Sequence, residues 1–181
     1  DEVSLELSYH VMKMTKAGLG DAYVATSADG VITKFNEELD RKGKKTGKGF
    51  YDYPEGAKKH LWPGLAEHYP LADEQPSAEE VRSRILYVQA IDSVRCMEEG
   101  VVTHPADADI GSIFGWGFPP YTGGTISFIE TVGLAAFVAE ADRLAAAYGD
   151  RFAVPASLRE MAKNGETFYG NAEAEAHRSA A

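Results

Sequence analysis

The stretch GKKTGKGFYDYP, residues 43–54, sets three lysines and three glycines ahead of two tyrosines. Glycine lets a backbone approach a phosphate closely, and lysine ammonium groups neutralise it, so these residue types suit anion binding. The Walker pattern needs a glycine, four residues, then Gly-Lys-Ser/Thr. Here Gly47-Lys48 is followed by Gly49, and Lys42 stands where the first glycine belongs, so the pattern fails twice. Two readings remain. One is a helix stop at Gly43, with cations favoured near a helix C-terminus, then a turn into an aromatic anchor. The other is an anion contact by Lys44, Lys45 or Lys48.

The other chemistry-bearing residues are sparser. GWGFPPYTGG, residues 115–124, offers Gly115-x-Gly117, but Pro120 occupies the third glycine position of a dinucleotide fingerprint and no strand precedes it. It reads as a rigid corner between two helices. Asp107 and Asp109 are too few for a metal site and read as acids at a helix start. His10, His60, His68, His104 and His177 lack metal-ligand spacing. Cys96, the one cysteine, reads as a small core residue of a long helix. No catalytic residue and no metal site is expected.

The elements that position these residues read as helical throughout, and an all-α fold follows. SAEEVRSRILYVQAIDSVRCMEE, 77–99, has Ser77 and Glu80 as a capping box, a wide apolar stripe and Gly100 as its stop. Helices also fit 4–17, 29–42, 106–114, 124–132, 134–149 and 155–165, the last with Pro155 at its first position. The first two are expected to end at Gly18 and Gly43. No segment alternates cleanly enough for a strand. Pro54, Pro63, Pro70 and Pro76 mark 54–76 as a linker with a helical turn or two. Residues 171–181 read as a polar, frayed tail. The chain has 181 residues and a net charge of −10, which argues against a nucleic-acid or anionic-membrane surface. One cysteine excludes an internal disulfide and suggests a reducing, cytoplasmic setting. No apolar run reaches the ~18 residues of a membrane span.

The chain also repeats itself. DEVSLELSYHVMKMTKAGLGD from Asp1 matches ETVGLAAFVAEADRLAAAYGD from Glu130, pairing Val3 with Val132, Leu5 with Leu134 and Gly20 with Gly149. GKGFYDY then matches GETFYGN, pairing Gly47 with Gly165 and Phe50 with Phe168. The change of offset gives the first copy the longer loop. Both phenylalanines are expected to be buried anchors. The second copy has a long stretch ahead of Glu130 and the first has none ahead of Asp1, so the first copy is expected to be incomplete. Its helix over 4–17, with Leu5, Leu7, Val11, Met12 and Met14, and its helix over 29–42, with Val31, Ile32, Phe35 and Leu39, are expected to leave apolar faces for a neighbour to cover.

These stretches resemble the multifunctional 3-hydroxyacyl-CoA dehydrogenases of fatty-acid β-oxidation. GKKTGKGFYDYP with KKHLWPGL resembles the end of their first C-terminal domain, placed here at 1–53. CMEEGVVTHPADADIGSIFGWGFPPYTGG resembles the signature of the second, placed at 77–170. The resemblance implies two tandem related helical domains, the first incomplete. It implies a whole enzyme that hydrates 2-enoyl-CoA and oxidises 3-hydroxyacyl-CoA to 3-ketoacyl-CoA with NAD. NAD would be held by a Rossmann domain of the same polypeptide, not by these residues, and the isolated chain is expected to be inactive. Acyl-CoA, a homodimer partner and a thiolase subunit are the implied partners, and Lys44, Lys45 and Lys48 the candidate contacts to CoA phosphates. A reading of another class is a free-standing helical interaction module, which needs a complete first repeat.

Overall fold

The computed structural model describes residues 1–170; the tail expected at 171–181 lies outside them. Among the described residues the regular elements are helices apart from one short hairpin, and the chain divides into two compact units. The first spans Asp1–Gln75 and the second begins at Pro76.

In the first unit, α1 (Leu5–Leu19) packs on α2 (Ser27–Glu37). Ser4 caps α1, its Oγ accepting from the Leu7 N–H at 3.0 Å. Helix α2 stops at Glu37, six residues before Gly43. The charged run 37–42 suits a helix by propensity, but Asp40 turns to φ 48° and Arg41 is drawn inward by partners described below. Strands β1 (Tyr51–Asp52) and β2 (His60–Leu61) pair antiparallel, Tyr51 opposite Leu61. The periodicity of the sequence missed them because two residues are too few to alternate. Residues 54–76, expected as linker, carry β2 and the single-turn helix α3 (Leu65–His68). They also supply Trp62 and Tyr69, whose rings lie 6.3 and 6.2 Å from that of the fully buried Phe35.

The second unit is built on α4 (Ala78–Glu98), α5 (Pro105–Trp116), α6 (Thr125–Val132), α7 (Leu134–Tyr148) and α8 (Ala156–Asn164). Ser77 accepts from the Glu80 N–H at 3.0 Å, one half of the expected capping box. The Glu80 carboxylate turns instead to Arg143, 2.7 Å away. Pro155 stands at the N-cap of α8, not inside it. Ile91, Ile126, Ile129, Phe137, Leu144 and Leu158 form a fully buried core, with Tyr87 stacked on Phe137 at 4.4 Å. Burying side chains of this kind is worth about 1.5–3 kcal/mol each, which is what holds α4, α6, α7 and α8 together.

The two units repeat one supersecondary plan. Helices α1 and α7 each have 15 residues and begin at paired positions, Leu5 and Leu134, both buried. The residue before each helix has one backbone conformation: Ser4 at φ 77°, ψ 135° and Gly133 at φ 87°, ψ 129°. Gly47 and Gly165 are both left-handed, at φ 74° and 67°. The acid that opens each copy then fastens its anchor. Asp1 Oδ1 accepts from the Phe50 N–H at 3.0 Å, and a Glu130 carboxylate oxygen accepts from the Phe168 N–H. Phe50 and Phe168 are half-buried, not buried as expected. Each anchor lays its ring on its unit, Phe50 against Phe35 at 4.4 Å and Phe168 against the second core, and leaves the rest to solvent.

Candidate functional site

The glycine–lysine turn is held from within the first unit. Gly43 and Lys48 exchange backbone hydrogen bonds, N–H to O at 2.7 and 3.2 Å, and close a tight loop over Lys44–Thr46. Thr46 Oγ1 donates to the Gly43 carbonyl at 3.0 Å. Glycine is required at two places for steric reasons. A Cβ on Gly43 would stand 2.8 Å from the Asp1 carbonyl oxygen, and one on Gly49 only 2.4 Å from Asp1 Oδ1. Those clearances let the Asp1 carboxylate accept from the Phe50 and Tyr51 N–H groups, both at 3.0 Å, and from the Tyr53 hydroxyl at 3.1 Å.

Arg41, which the sequence reading did not single out, is the hub of this site. It is buried, with Nε donating to the Gly49 carbonyl at 2.7 Å and Nη2 to the Tyr51 carbonyl at 3.2 Å. Nη2 also pairs with Asp52 Oδ1 at 2.5 Å, and the guanidinium lies 4.2 Å over the Trp62 ring. A planar fork matched to two carbonyls, a carboxylate and an aromatic face is a task for arginine. The only sequence signal was a basic residue just ahead of a Gly-rich turn.

The three candidate lysines fare differently. Lys44 Nζ pairs with Glu2 at 2.7 Å, and Lys48 Nζ with Asp40 at 2.9 Å. The hydrogen bond from Lys44 holds the Glu2 carboxyl below its ordinary range, with Lys59 adding to it. Lys48 does the same for Asp40. Lys45 is exposed and has no ion-pair partner among the described residues. Lys59 lies over the Tyr51 ring at 5.1 Å, so the hairpin adds a further cation beside the turn.

In the second unit the corner 115–124 does join two helices. Gly117 ends α5 in the left-handed region, and Gly124 opens α6 at φ 117°. A Cβ on Gly124 would sit 2.4 Å from the Asp109 Cα, so α5 and the start of α6 touch here. Asp109 was expected to serve the start of its own helix, and it does not. It is buried and caps the next helix: Oδ1 accepts from the Ile126 N–H at 2.7 Å, and Oδ2 from the Ser127 and Tyr169 hydroxyls at 2.5 and 2.6 Å. Ser112 Oγ accepts from the Thr125 N–H at 3.3 Å. The orphan N–H groups of α6 are thus met from α5, with the carboxylate on the favourable end of the helix dipole. Burial, and then the bond to Asp109, push the Tyr169 phenol well above its ordinary range.

Cys96 is half-buried, not a core residue, and lines a groove of about 360 Å³ between α4 and α5 with Ser93, Val102 and Trp116. The Trp116 indole N–H is fixed by Gln89 Oε1 at 2.9 Å. Among the described residues no three His, Cys, Asp or Glu side chains gather to hold a metal ion, and no helix is long and apolar enough to cross a membrane.

No protein-family model matches the chain. It is 38% identical over 173 residues to the fatty acid oxidation complex subunit alpha of Shewanella amazonensis. Against the same subunit of Shewanella loihica it is 37% identical over 175 residues. Each match covers 93% of this chain and 24% of the relative. The chain is related to a C-terminal part of these subunits. The all-α architecture fits that relationship, and the chain spans about a quarter of the length of the curated relatives it matches.

Proposed function

We propose that the chain is the helical C-terminal part of a multifunctional β-oxidation enzyme and serves it structurally. The whole polypeptide would hydrate 2-enoyl-CoA and oxidise 3-hydroxyacyl-CoA to 3-ketoacyl-CoA with NAD. The observation that carries this reading is the match along 93% of the chain to subunits named for fatty acid oxidation. The site geometry supports a structural role. Asp1, Arg41, Lys44 and Lys48 in the first unit, and Asp109 in the second, are engaged within their own units. The described residues do not fit a dinucleotide. Their only strands are two-residue pieces of one hairpin, and no glycine-rich loop joins a strand to a helix. NAD would be held by another domain of the polypeptide, of Rossmann type, with the helical units shaping one wall of the acyl-CoA cleft. A second copy and a thiolase subunit are the further partners of this reading. Lys45 is the lysine of the turn left to meet a CoA phosphate, since Lys44 and Lys48 would have to release Glu2 and Asp40.

NADH formation from a 3-hydroxyacyl-CoA tests the reading. The full-length polypeptide is expected to turn over and the 181-residue chain to stay at background. Turnover by the pure 181-residue chain, or none by the full-length protein, would overturn it.

A further inference from the structure

Of the asparagines in the chain, only Asn164 precedes a glycine, Gly165; Asn36 precedes Glu37 and Asn171 precedes Ala172. Asparagine is a thermolabile residue, and a following glycine makes it more so. The side-chain carbon Cγ and the next backbone nitrogen can join in a cyclic imide, and glycine has no Cβ to obstruct their approach. Asn164 and Gly165 are both exposed, at the C-terminal end of α8. The fold restrains them there. The Gly165 N–H, whose nitrogen would attack, donates to the Met161 carbonyl, and the Glu166 N–H donates to the same oxygen at 3.0 Å. The nitrogen that would leave is held as well, with Asn164 Nδ2 donating to Glu166 Oε1 at 2.8 Å. Asn36 is held more firmly, inside α2, with Nδ2 donating to the Leu5 and Ile32 carbonyls at 3.1 and 2.8 Å. The repeat supplies an internal control. Ahead of Gly47, the partner of Gly165 in the first unit, stands Thr46, which has no amide to lose.

We infer that Asn164–Gly165 is a self-modification site, a deamidation site gated by the last turn of α8. When that turn opens, the Gly165 nitrogen gives up its proton and attacks Asn164 Cγ. A C–N bond forms, and the side-chain nitrogen takes up the proton and leaves as ammonia. Water then opens the imide at one of its two carbonyls, giving aspartate or isoaspartate. Water is the only co-reactant, and nothing is oxidised or reduced. The product weakens the cap that restrained it. A carboxylate replaces the Nδ2 donor beside Glu166, with Glu160 one turn back and Lys163 the nearest cation in sequence. Negative charge is unfavourable at the C-terminal end of a helix and beside a like charge one turn away. Isoaspartate also lengthens the backbone by a methylene. The anchor lies within the next five residues, Phe168 tied to Glu130 and Tyr169 to Asp109. Deamidation therefore loosens the fastening of the second unit, and Thr46 spares the first.

Peptide mapping of the protein aged at physiological temperature tests this. Asn164 is expected to yield aspartyl and isoaspartyl products, at least about tenfold more slowly in the folded protein than in the same protein kept in urea. Asn164→Thr, which installs the residue of the first copy, is expected to abolish the acidic product. Asn164→Gln is the second variant, whose longer side chain closes a larger ring more slowly. The aged acidic form, separated by ion exchange, is expected to exchange its amide hydrogens over residues 166–169 at least about tenfold faster than the fresh protein. The inference is overturned if Asn164 stays intact in the folded protein, or reacts as fast there as in urea. It is equally overturned if Asn164→Thr ages to the same acidic form, or if the aged form exchanges over 166–169 as the fresh protein does.

Discussion

The two copies of the repeat share a backbone and differ in how they secure it. In the second unit, α7 packs against α6 and α8 and its anchor is tied through Glu130, while Asp109 holds α6 and Tyr169 together. In the first unit, α1 has one buried residue, Leu5, and support is concentrated at that same end of the helix, where Arg41 and Asp1 organise the Gly-rich turn and the Leu5 N–H donates to the Lys42 carbonyl. Apolar burial carries one copy and a polar network carries much of the other. The lesson is that a duplicated plan is preserved in its backbone conformations, at Ser4/Gly133 and Gly47/Gly165, after its side-chain support has diverged.

The comparison breaks most readily at Asp109, which has no counterpart in the first unit. Asp109→Ala leaves two N–H groups of α6 and the Ser127 and Tyr169 hydroxyls without their acceptor, and is expected to cost about 3 kcal/mol. The two tryptophans report separately, Trp62 from the first unit and Trp116 from the second. Denaturation followed through Trp116, in a Trp62→Phe background, should shift. An equal shift at Trp62 alone would refute the separation of the units.

Next in size are the paired glycines. Gly47→Val and Gly165→Val each force a β-branched residue to a left-handed φ and are expected to destabilise by about 2 kcal/mol. Similar losses in thermal unfolding would sharpen the equivalence of the copies, and a loss in one copy only would end it. The swap at the helix entrances is subtler. Ser4 holds φ 77°, where glycine is at ease, so Ser4→Gly should gain up to about 1 kcal/mol, less the lost cap to Leu7. Gly133→Ser should lose about 1 kcal/mol. If both changes had the same sign, strain would not be what distinguishes the copies.

Tyr169 gives a smaller effect, visible in alkali. Its phenol is raised first by burial and then by Asp109, so the neutral form is favoured in the folded state. The contribution is intact below the ordinary tyrosine range near pH ~10 and is lost as pH rises through it, because the unfolded chain ionises first. Tyr169→Phe should flatten the alkaline fall in unfolding midpoint, and an unchanged fall would dissociate Tyr169 from it. Smallest of all, Lys45→Ala should move stability by no more than about 0.5 kcal/mol, as exposed substitutions do. A larger loss on calorimetry would mean that Lys45 supports the fold.

Much of this was legible in the sequence. The long helices follow from apolar spacing, and α6 and α7 end at glycines that a reader can find. The repeat is visible because backbone-critical positions stay recognisable. What escaped was whatever depends on residues distant in sequence. Helix α2 looked longer than it is because Arg41 is taken by Gly49, Tyr51 and Asp52, and local propensity yields to that network. Asp109 looked like an acid for its own helix, because only the folded corner shows it to be the cap of the next. The hairpin of β1 and β2 is too short to have a period. The lysines of the turn advertised an anion site, and two of them proved to be partners of Glu2 and Asp40.

The bonds from Asp1 to Phe50 and Tyr51 also say something about time. They join residues some fifty positions apart, whereas α1 and α2 form from neighbours. Closing so long a segment carries a chain-entropy penalty that local contacts do not, so this clasp belongs late on the folding route. A contact absent from the transition state affects the rate of unfolding and leaves the rate of folding alone. Asp1→Asn should therefore speed unfolding of the first unit with an unchanged refolding limb, making the clasp the latch whose strength sets how long that unit stays shut.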